Sequence, residues 1–492
     1  MAIKKYTASI DTTITDAFKA DLQNRGVDAN MGASDTLEVF SIYAQGNPEL
    51  DDNGDFARDD DGNIINSVEK ARILLKFPID DISEHRDDGE IPAKDSVEFY
   101  LKLYNATHAF TLPTSINLTI SPITTAWTEG IGLDMEEYLD RGASGSGRGA
   151  DWESASSSDV WTAEGGDFSS DAPYEKTVFF QDGNEDLDVD VTDVVEAWIA
   201  GDIDNHGVII RLESSVEDGG TRESYYTKRF FARGTEYFFK KPTITAQWNS
   251  AEKDDRGKFY RTSNLRDSDA GDNDNVLYLK NRVDGVLTDI PTVTVDGGGN
   301  DLTIKIYETD AKEEEITPEG LTVEKPEDGT YTASVEVDTE LDEIYVEWQD
   351  AGGEIYHTET IDVLTRSVSS EDLPIYVTNI TNMKSVYSKD ETARFKLYTR
   401  LKDWNPTIYT VASTDIESNI IETAYYRLVR VIDEEIVMDY GDHTMLSYDE
   451  SGNYFDLDMD LLEPNFAYRI ELQYEISGKN RQQPETFKFR VE

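Results

Sequence analysis

The chain has 492 residues, 101 acidic and 45 basic, for a formal net charge of −56. A hydrophobic content of 38%, with 26 Tyr and 7 Trp, supports packed cores and excludes disorder throughout. Cysteine is absent, which excludes disulfides, thiolate zinc sites and cysteine nucleophiles.

The charge repels nucleic-acid phosphate and anionic lipid, so neither nucleic acid nor membrane is an expected partner. No apolar run approaches the ~20 residues of a membrane-crossing helix. The opening MAIKKYTASIDTTITDAF lacks the ~7–15-residue apolar stretch of a secretory signal, and folding in a cytoplasm is expected. Lysine and arginine occur about equally often, so a marine or otherwise salty setting fits better than extreme halophily.

The first marked feature is an acidic loop. Asp51, Asp52, Asn53, Asp55, Asp59, Asp60, Asp61 and Asn63 surround Gly54 and Gly62. Hard oxygen donors on a glycine-bearing loop make calcium the candidate ion, with Asp51, Asn53, Asp55, Asp59 and Asp61 as ligands. The twelve-residue calcium loop does not fit, because Gly62 would put Ala57 at its first ligand position. Solvated acidic turns are the competing reading.

Alternation then dominates. In 71–80, Ile73, Leu75, Phe77 and Ile79 share one face. In 97–104, Val97, Phe99, Leu101 and Leu103 do the same. Period two predicts half-buried strands. The Gly/Ser-rich stretch 141–170 carries Trp152, Trp161 and Phe168, which a linker would not need, so it reads as a long loop pinned by its aromatics. Flat rings also stack on sugars, and Trp127, Trp152 and Trp161 are the candidates. Asp193 as cap, Glu196 at the third position and Gly201 as stop predict one short helix closing a sandwich end.

Residues 222–241 form a basic island. Arg222, Lys228, Arg229, Arg233, Lys240 and Lys241 interleave with Tyr225, Tyr226, Phe230, Phe231, Tyr237, Phe238 and Phe239. In so acidic a chain this is a candidate docking patch for an acidic neighbour, with arginine and aromatic anchors. The competing reading is an edge hairpin whose cations neutralise nearby acids.

Residues 249–275 are polar and turn-rich and read as a linker, with a second acidic cluster at Asp267, Asp269, Asp272 and Asp274. Strand patterns resume through Leu302/Ile304/Ile306, Tyr331/Ala333/Val335 and Ile344/Val346/Trp348. After RSVSSEDLP a last set includes Phe395/Leu397, Tyr426/Leu428, the 466–476 alternation and Phe487/Phe489/Val491. The expected architecture is all-β: tandem antiparallel sandwiches at 1–248, 276–366 and 373–492, the latter two of immunoglobulin-like size. The five histidines lie far apart with no ligand spacing, and GxSxG, P-loop and HExxH motifs are absent, so no enzyme is expected.

Residues 1–248 resemble the DNRLRE-type β-sandwich family. The resemblance runs through DTTITDA, Asn30-Met-Gly…Leu37-Glu-Val, ARILLKF, SVEFYLKLY, Trp127-Thr-Glu, and Asp190-Val-Thr…Trp198…Gly201…Asn205-His-Gly-Val, and ends at KKPTITAQW. It departs at 222–236, where RESYYTKRFFARGTE stands in place of the signature stretch. It implies a jelly-roll-like first sandwich. Residues 373–492 are similar to C-terminal modules on virion proteins of marine tailed phages, through Gly452-Asn-Tyr-Phe-Asp-Leu-Asp-Met-Asp-Leu-Leu-Glu-Pro, Tyr468-Arg-Ile and the terminal strand. Together these imply a virion structural protein at a neck, collar, tail surface or capsid exterior, assembled in the host cytoplasm. Its partners would be other virion proteins and further copies within a symmetric assembly, in a ring or around an axis, with host glycans as a further possibility. The alternative is a carbohydrate-binding adhesin recognising cell-surface polysaccharide, a setting in which DNRLRE-type modules also occur.

Overall fold

The computed structural model describes residues 2–492 except 52, 60, 110, 134–148, 219–220, 254–258, 261–274, 284–285, 296–298, 317–318, 337–342, 365–373, 403–417, 450 and 477. Most of the linker read at 249–275, with its four aspartates, therefore lies outside the described residues. The chain divides into two units, Ala2–Asn249 and Ser250–Glu492.

In the first unit, β1 (Ile3–Thr7), β2 (Ile10–Thr15), β3 (Thr36–Tyr43) and β4 (Val68–Lys76) lead to a helix, α1 (Ile79–Asp87). Then follow β5 (Glu98–Leu103), β6 (Ile116–Pro122), β7 (Lys176–Phe180), β8 (Leu187–Asp190), α2 (Thr192–Ala200), β9 (Val208–Leu212), β10 (Tyr225–Phe231) and β11 (Thr243–Gln247). One sheet has the order β1-β11-β5-β8 and the other β10-β3-β4-β9-β6-β7, with β2 also pairing to β4. Every one of these pairings is antiparallel.

Between the sheets lies the main core, with Leu37, Val39, Ile73, Leu75, Phe99, Leu101, Val208, Ile210, Phe230 and Ile244 facing inward as period two requires. Helix α2 adds Val194, Val195 and Trp198. The outer face of the second sheet is buried as well. Ile14, Leu74 and Ile209 pack under Trp127, Trp152 and Trp161, which the connection from β6 to β7 lays over them. That double coverage explains why β4 reads Ile-Leu-Leu rather than a clean alternation.

Two local expectations change. Strand β4 ends at Lys76, and Ile79 belongs to α1, a polar helix whose buried apolar residues are Ile79 and Ile82. Helix α2 starts at Thr192, and its first amide donates to Asp190 Oδ1 at 2.8 Å. Asp193 instead pairs with Lys176 at 2.8 Å. Glu196 is buried and takes both Arg86 guanidinium nitrogens at 2.7 Å, joining α2 to α1. Gly201 ends α2 in the left-handed conformation, φ 73°.

The second unit contains two sets of facing sheets. In the first set, Phe259–Tyr260, Ile355–Leu364, Glu343–Gln349, Thr303–Tyr307 and Glu315–Ile316 form one sheet, and Asn275–Lys280, Thr330–Glu336 and Glu319–Glu327 the other. Their core is Leu277, Ile304, Ile306, Tyr331, Ile344, Val346 and Trp348. In the second set, Tyr376–Ile380, Thr392–Leu401, Gly452–Asp458 and Ser447–Asp449 face Val386–Tyr387, Lys479–Val491, Ala467–Ile476, Ala424–Arg430 and Ile436–Met438. Stacked rings fill this core, with Tyr426 and Phe455 at 4.1 Å between centroids.

Residues 250–253, read from sequence as linker, are tied down within the unit. Glu252 accepts from Lys280 Nζ at 2.8 Å and Tyr454 OH at 3.0 Å, while its main chain bonds Ser447 Oγ and the Tyr448 N–H. The chain is thus all-β, built of tandem sandwiches that are antiparallel but for the pairings of Phe259–Tyr260 with Ile355–Leu364 and of Val386–Tyr387 with Lys479–Val491, with a few short helices.

Candidate functional site

The basic island is largely internal. Along β10, alternation turns Lys228 and Phe230 inward, and both are fully buried. The Lys228 ammonium donates to Asn105 Oδ1 at 2.7 Å, Gly183 O at 3.0 Å and Glu185 O at 2.7 Å. The rings of Phe180 and Phe230 lie 5.2 and 4.7 Å from it. Burial pushes its pKa down to about 8 against the pull of Glu185 and Asp186.

Arg229 pairs with Glu38 on β3. Arg233 holds both oxygens of Glu129 at 2.6 and 2.7 Å, and its main-chain N–H donates to the buried Asp11. Burial raises the Asp11 pKa to about 6, partly offset by that hydrogen bond. Lys240 sits over the Tyr104 ring at 4.9 Å, and Lys241 is half-buried. Tyr225 is half-buried and donates to Glu223. As a docking patch the island is therefore corrected: Lys228 and Phe230 hold the fold, and Arg229 and Arg233 are occupied by carboxylates. Arg222 and Tyr226, 48% exposed, remain at the surface, as do Tyr237 and Phe238.

The three tryptophans are withdrawn from solvent, at 7% for Trp127, 3% for Trp152 and 5% for Trp161. Trp127 Nε1 donates to His206 O and Trp161 Nε1 to Asp151 O, each at 2.8 Å. Lys70 and Arg72 lie over the Trp152 ring at 5.6 and 5.0 Å. Pinning the loop is their role, and sugar stacking is corrected on the same ground. His206 lies in a tight turn. Asn205 caps it through Gly207 N–H, and a Cβ at Gly207 would meet Leu75 O at 1.9 Å. Burial, then Lys76, keeps His206 below the usual histidine range despite Asp204.

Asn30, the first residue of the Asn-x-Gly motif, is a buried hub. Its Nδ2 donates to Glu129 O and Ala150 O at 2.7 and 2.8 Å, and its Oδ1 accepts from Gly32 and Gly132 at 3.1 and 2.9 Å. Gly32 is required there, since a Cβ would lie 2.2 Å from Glu129 O.

The acidic loop is an eight-residue repeat that the sequence reading passed over: ELDDNGDF (49–56) and ARDDDGNI (57–64). Each copy makes a hairpin. Asp51 Oδ1 accepts from Asn53 and Asp55, and Asp59 Oδ1 from Asp61 and Asn63. Ala57 N–H bonds Glu49 O, Ile65 N–H bonds Ala57 O, and Glu49 N–H bonds Ile65 O, closing a three-membered ring. These amides hold Asp51 below the usual carboxylate range, and Asn63 does so for Asp59, with Arg222 adding to it. Among the described residues no three His, Asp or Glu side chains converge to hold an ion.

The double hairpin presents apolar groups to solvent. Leu50 and Phe56, cross-strand partners, are 59% and 49% exposed, and Ile64 and Ile65 are exposed too. Arg222, just before β10, is close enough to Asp59 of the hairpin for its charge to lower that carboxyl. Next to the hairpin a cleft of about 490 Å³ is lined by Asp16, Arg25, Glu49, Lys70, Trp152 and Glu217, among others. These charges are engaged: Arg25 with Asp16 and Glu49, Glu217 with Arg72. The arrangement offers an acid-rimmed apolar surface.

A scan against family models gives no match, and neither does a search of curated proteins. Solved structures that align are tandem immunoglobulin-type modules. A chimeric titin Z1Z2 tandem is 12% identical over 48% of this chain and 94% of its own, with a TM-score of 0.16. The N-terminal Ig1-2 module of the Drosophila receptor protein tyrosine phosphatase DLAR is 8% identical over 50% and 96%, also at 0.16. Scores of this size carry no argument, and the sandwich architecture rests on the strand pairing of this chain itself.

Proposed function

We propose that this chain is a non-enzymatic structural protein of a tailed-phage virion, at the neck, tail surface or capsid exterior, that acts by docking to neighbouring virion proteins. The observation that carries the reading is the double hairpin at 49–65. It holds Leu50, Phe56, Ile64 and Ile65 at the surface, rimmed by carboxylates, of which Asp51 and Asp59 are held below the usual range by hydrogen bonds within the hairpin. Apolar anchors inside a charged rim are the anatomy of a protein interface. Charge complementarity sets the partner: a chain at −56 docks a basic surface more readily than another acidic one. Arg222, whose charge acts on Asp59, borders the same surface. The setting is what the resemblance of 373–492 to virion modules implies. The three tryptophans that would stack on sugar are buried, which weighs against the carbohydrate reading.

The test is incorporation of the Leu50→Asp/Phe56→Asp double variant into particles. The side chains are exposed, so the variant is expected to melt with the wild type yet be depleted from particles at least tenfold. A folded variant incorporated at wild-type level would overturn this surface as the docking site.

A further inference from the structure

The Lys228–Asn105 hydrogen bond joins β10 to the segment that follows β5. After β5 leaves the first sheet, residues 104–106 cross to the second and pair with β10. Ala106 N–H bonds Arg229 O and Phe231 N–H bonds Tyr104 O, each at 3.0 Å, with Asn105 opposite Phe230. Alternation puts Lys228 and Phe230 on one face of β10, and cross-strand pairing puts Asn105 on that same face, one diagonal step from Lys228.

Nζ stands 2.7 Å from Asn105 Oδ1. With a C=O bond of about 1.2 Å, that places it within about 4 Å of the amide carbon Cγ. Its other hydrogens are fixed on Gly183 O and Glu185 O, so the amine has no freedom to swing away. Phe180 and Phe230 pack their rings against the buried ammonium, and Asn105 is half-buried. Asp186 Oδ1 accepts the Asn105 main-chain N–H at 2.7 Å, which anchors a carboxylate on the same residue.

We infer that Lys228 and Asn105 condense into an intramolecular isopeptide bond that staples the end of β5 to β10, and so one sheet of the first sandwich to the other. The free amine of Lys228 attacks Asn105 Cγ and the Nζ–Cγ bond forms. A proton from Nζ passes to Nδ2. The Cγ–Nδ2 bond then breaks and ammonia leaves. Two reactants become one amide and ammonia, with no oxidant, cofactor or water consumed. Two effects of the site favour the reaction. Desolvation lowers the Lys228 pKa to about 8, which leaves a usable fraction of free amine at neutral pH. Fixing the reactants also replaces a bimolecular encounter, an advantage worth effective molarities of ~10⁵ M or more in well-oriented systems.

The experiment is the intact mass of the full, denatured chain. The expected value lies about 17 Da, one ammonia, below the sequence mass. Proteolysis should yield one branched peptide joining the Lys228 and Asn105 segments. Lys228→Arg and Asn105→Ala should restore the full mass, and Asn105→Asp should lose water in place of ammonia. Because the wild-type mass alone decides, poor folding of a variant does not blur the result. A wild-type chain at its full sequence mass, with Lys228 open to amine labelling once denatured, would overturn the inference. The inference is independent of the virion reading.

Discussion

Replacing Asn30 by Ala removes four hydrogen bonds at once from a fully buried position. Two amides, of Gly32 and Gly132, lose their acceptor, and an orphaned buried N–H costs ~1–3 kcal/mol. The carbonyls of Glu129 and Ala150 lose a donor at smaller cost. The sum is about 4 kcal/mol, which for a unit of this size lowers Tm by ~8–16 °C. Urea unfolding followed by tryptophan fluorescence reads it, because Trp127 and Trp152 flank the loops that Asn30 joins. The Asp variant sharpens the test. It keeps both acceptors but turns a carboxylate toward two carbonyls, so its pKa in the folded state rises. Its stability is then greatest below the unfolded value of about 4 and falls as pH climbs through the folded one. A loss under 1 kcal/mol for Asn30→Ala, or no pH dependence for Asn30→Asp, would refute the hub.

Three further outcomes are expected. Asp11, raised to about 6 by burial, contributes stability that is full below pH 3.8 and lost as pH rises toward 6. Asp11→Asn should therefore gain on the wild type by ~2–3 kcal/mol between pH 4 and 7, measured by denaturant titration at each pH. In the second unit, burial pushes the Glu471 carboxyl up, but Arg427 and Arg469 outweigh it and hold it below its ordinary range. Glu471→Gln should cost ~3 kcal/mol at pH 7, a difference that shrinks in acid, and an unchanged urea midpoint would contradict it. Raising ionic strength from 0.01 to 0.15 M shortens the screening length from ~30 to ~8 Å, so calorimetry should show Tm rising in a chain of net charge −56.

The sheets were legible because period two is written into β4, β5 and Ala467–Ile476 with few interruptions. The same rule, applied to Tyr225–Phe231, puts Lys228 and Phe230 on one inward face. The composition of 222–241 suggested a surface because charge was read ahead of alternation. Helix α1 went unseen because IDDISEHRD buries only two apolar side chains and carries no side-chain cap. Glu196 looked like a capping residue because its partner, Arg86, is 110 positions away. The loop tryptophans were readable as pins, since a free linker has no use for them. The hairpin repeat was readable too, in two copies of Asp-Asp-Asx-Gly. Which of its apolar residues face solvent depends on the ring at Glu49, Ala57 and Ile65, which no local pattern states.

The central proposal, membership of a virion, is tested most directly by quantitative mass spectrometry of gradient-purified particles from the source culture. The chain should co-sediment with the particles at a fixed small-integer ratio to their portal or tail-tube protein. Recovery only in the soluble or cell-envelope fractions would contradict it.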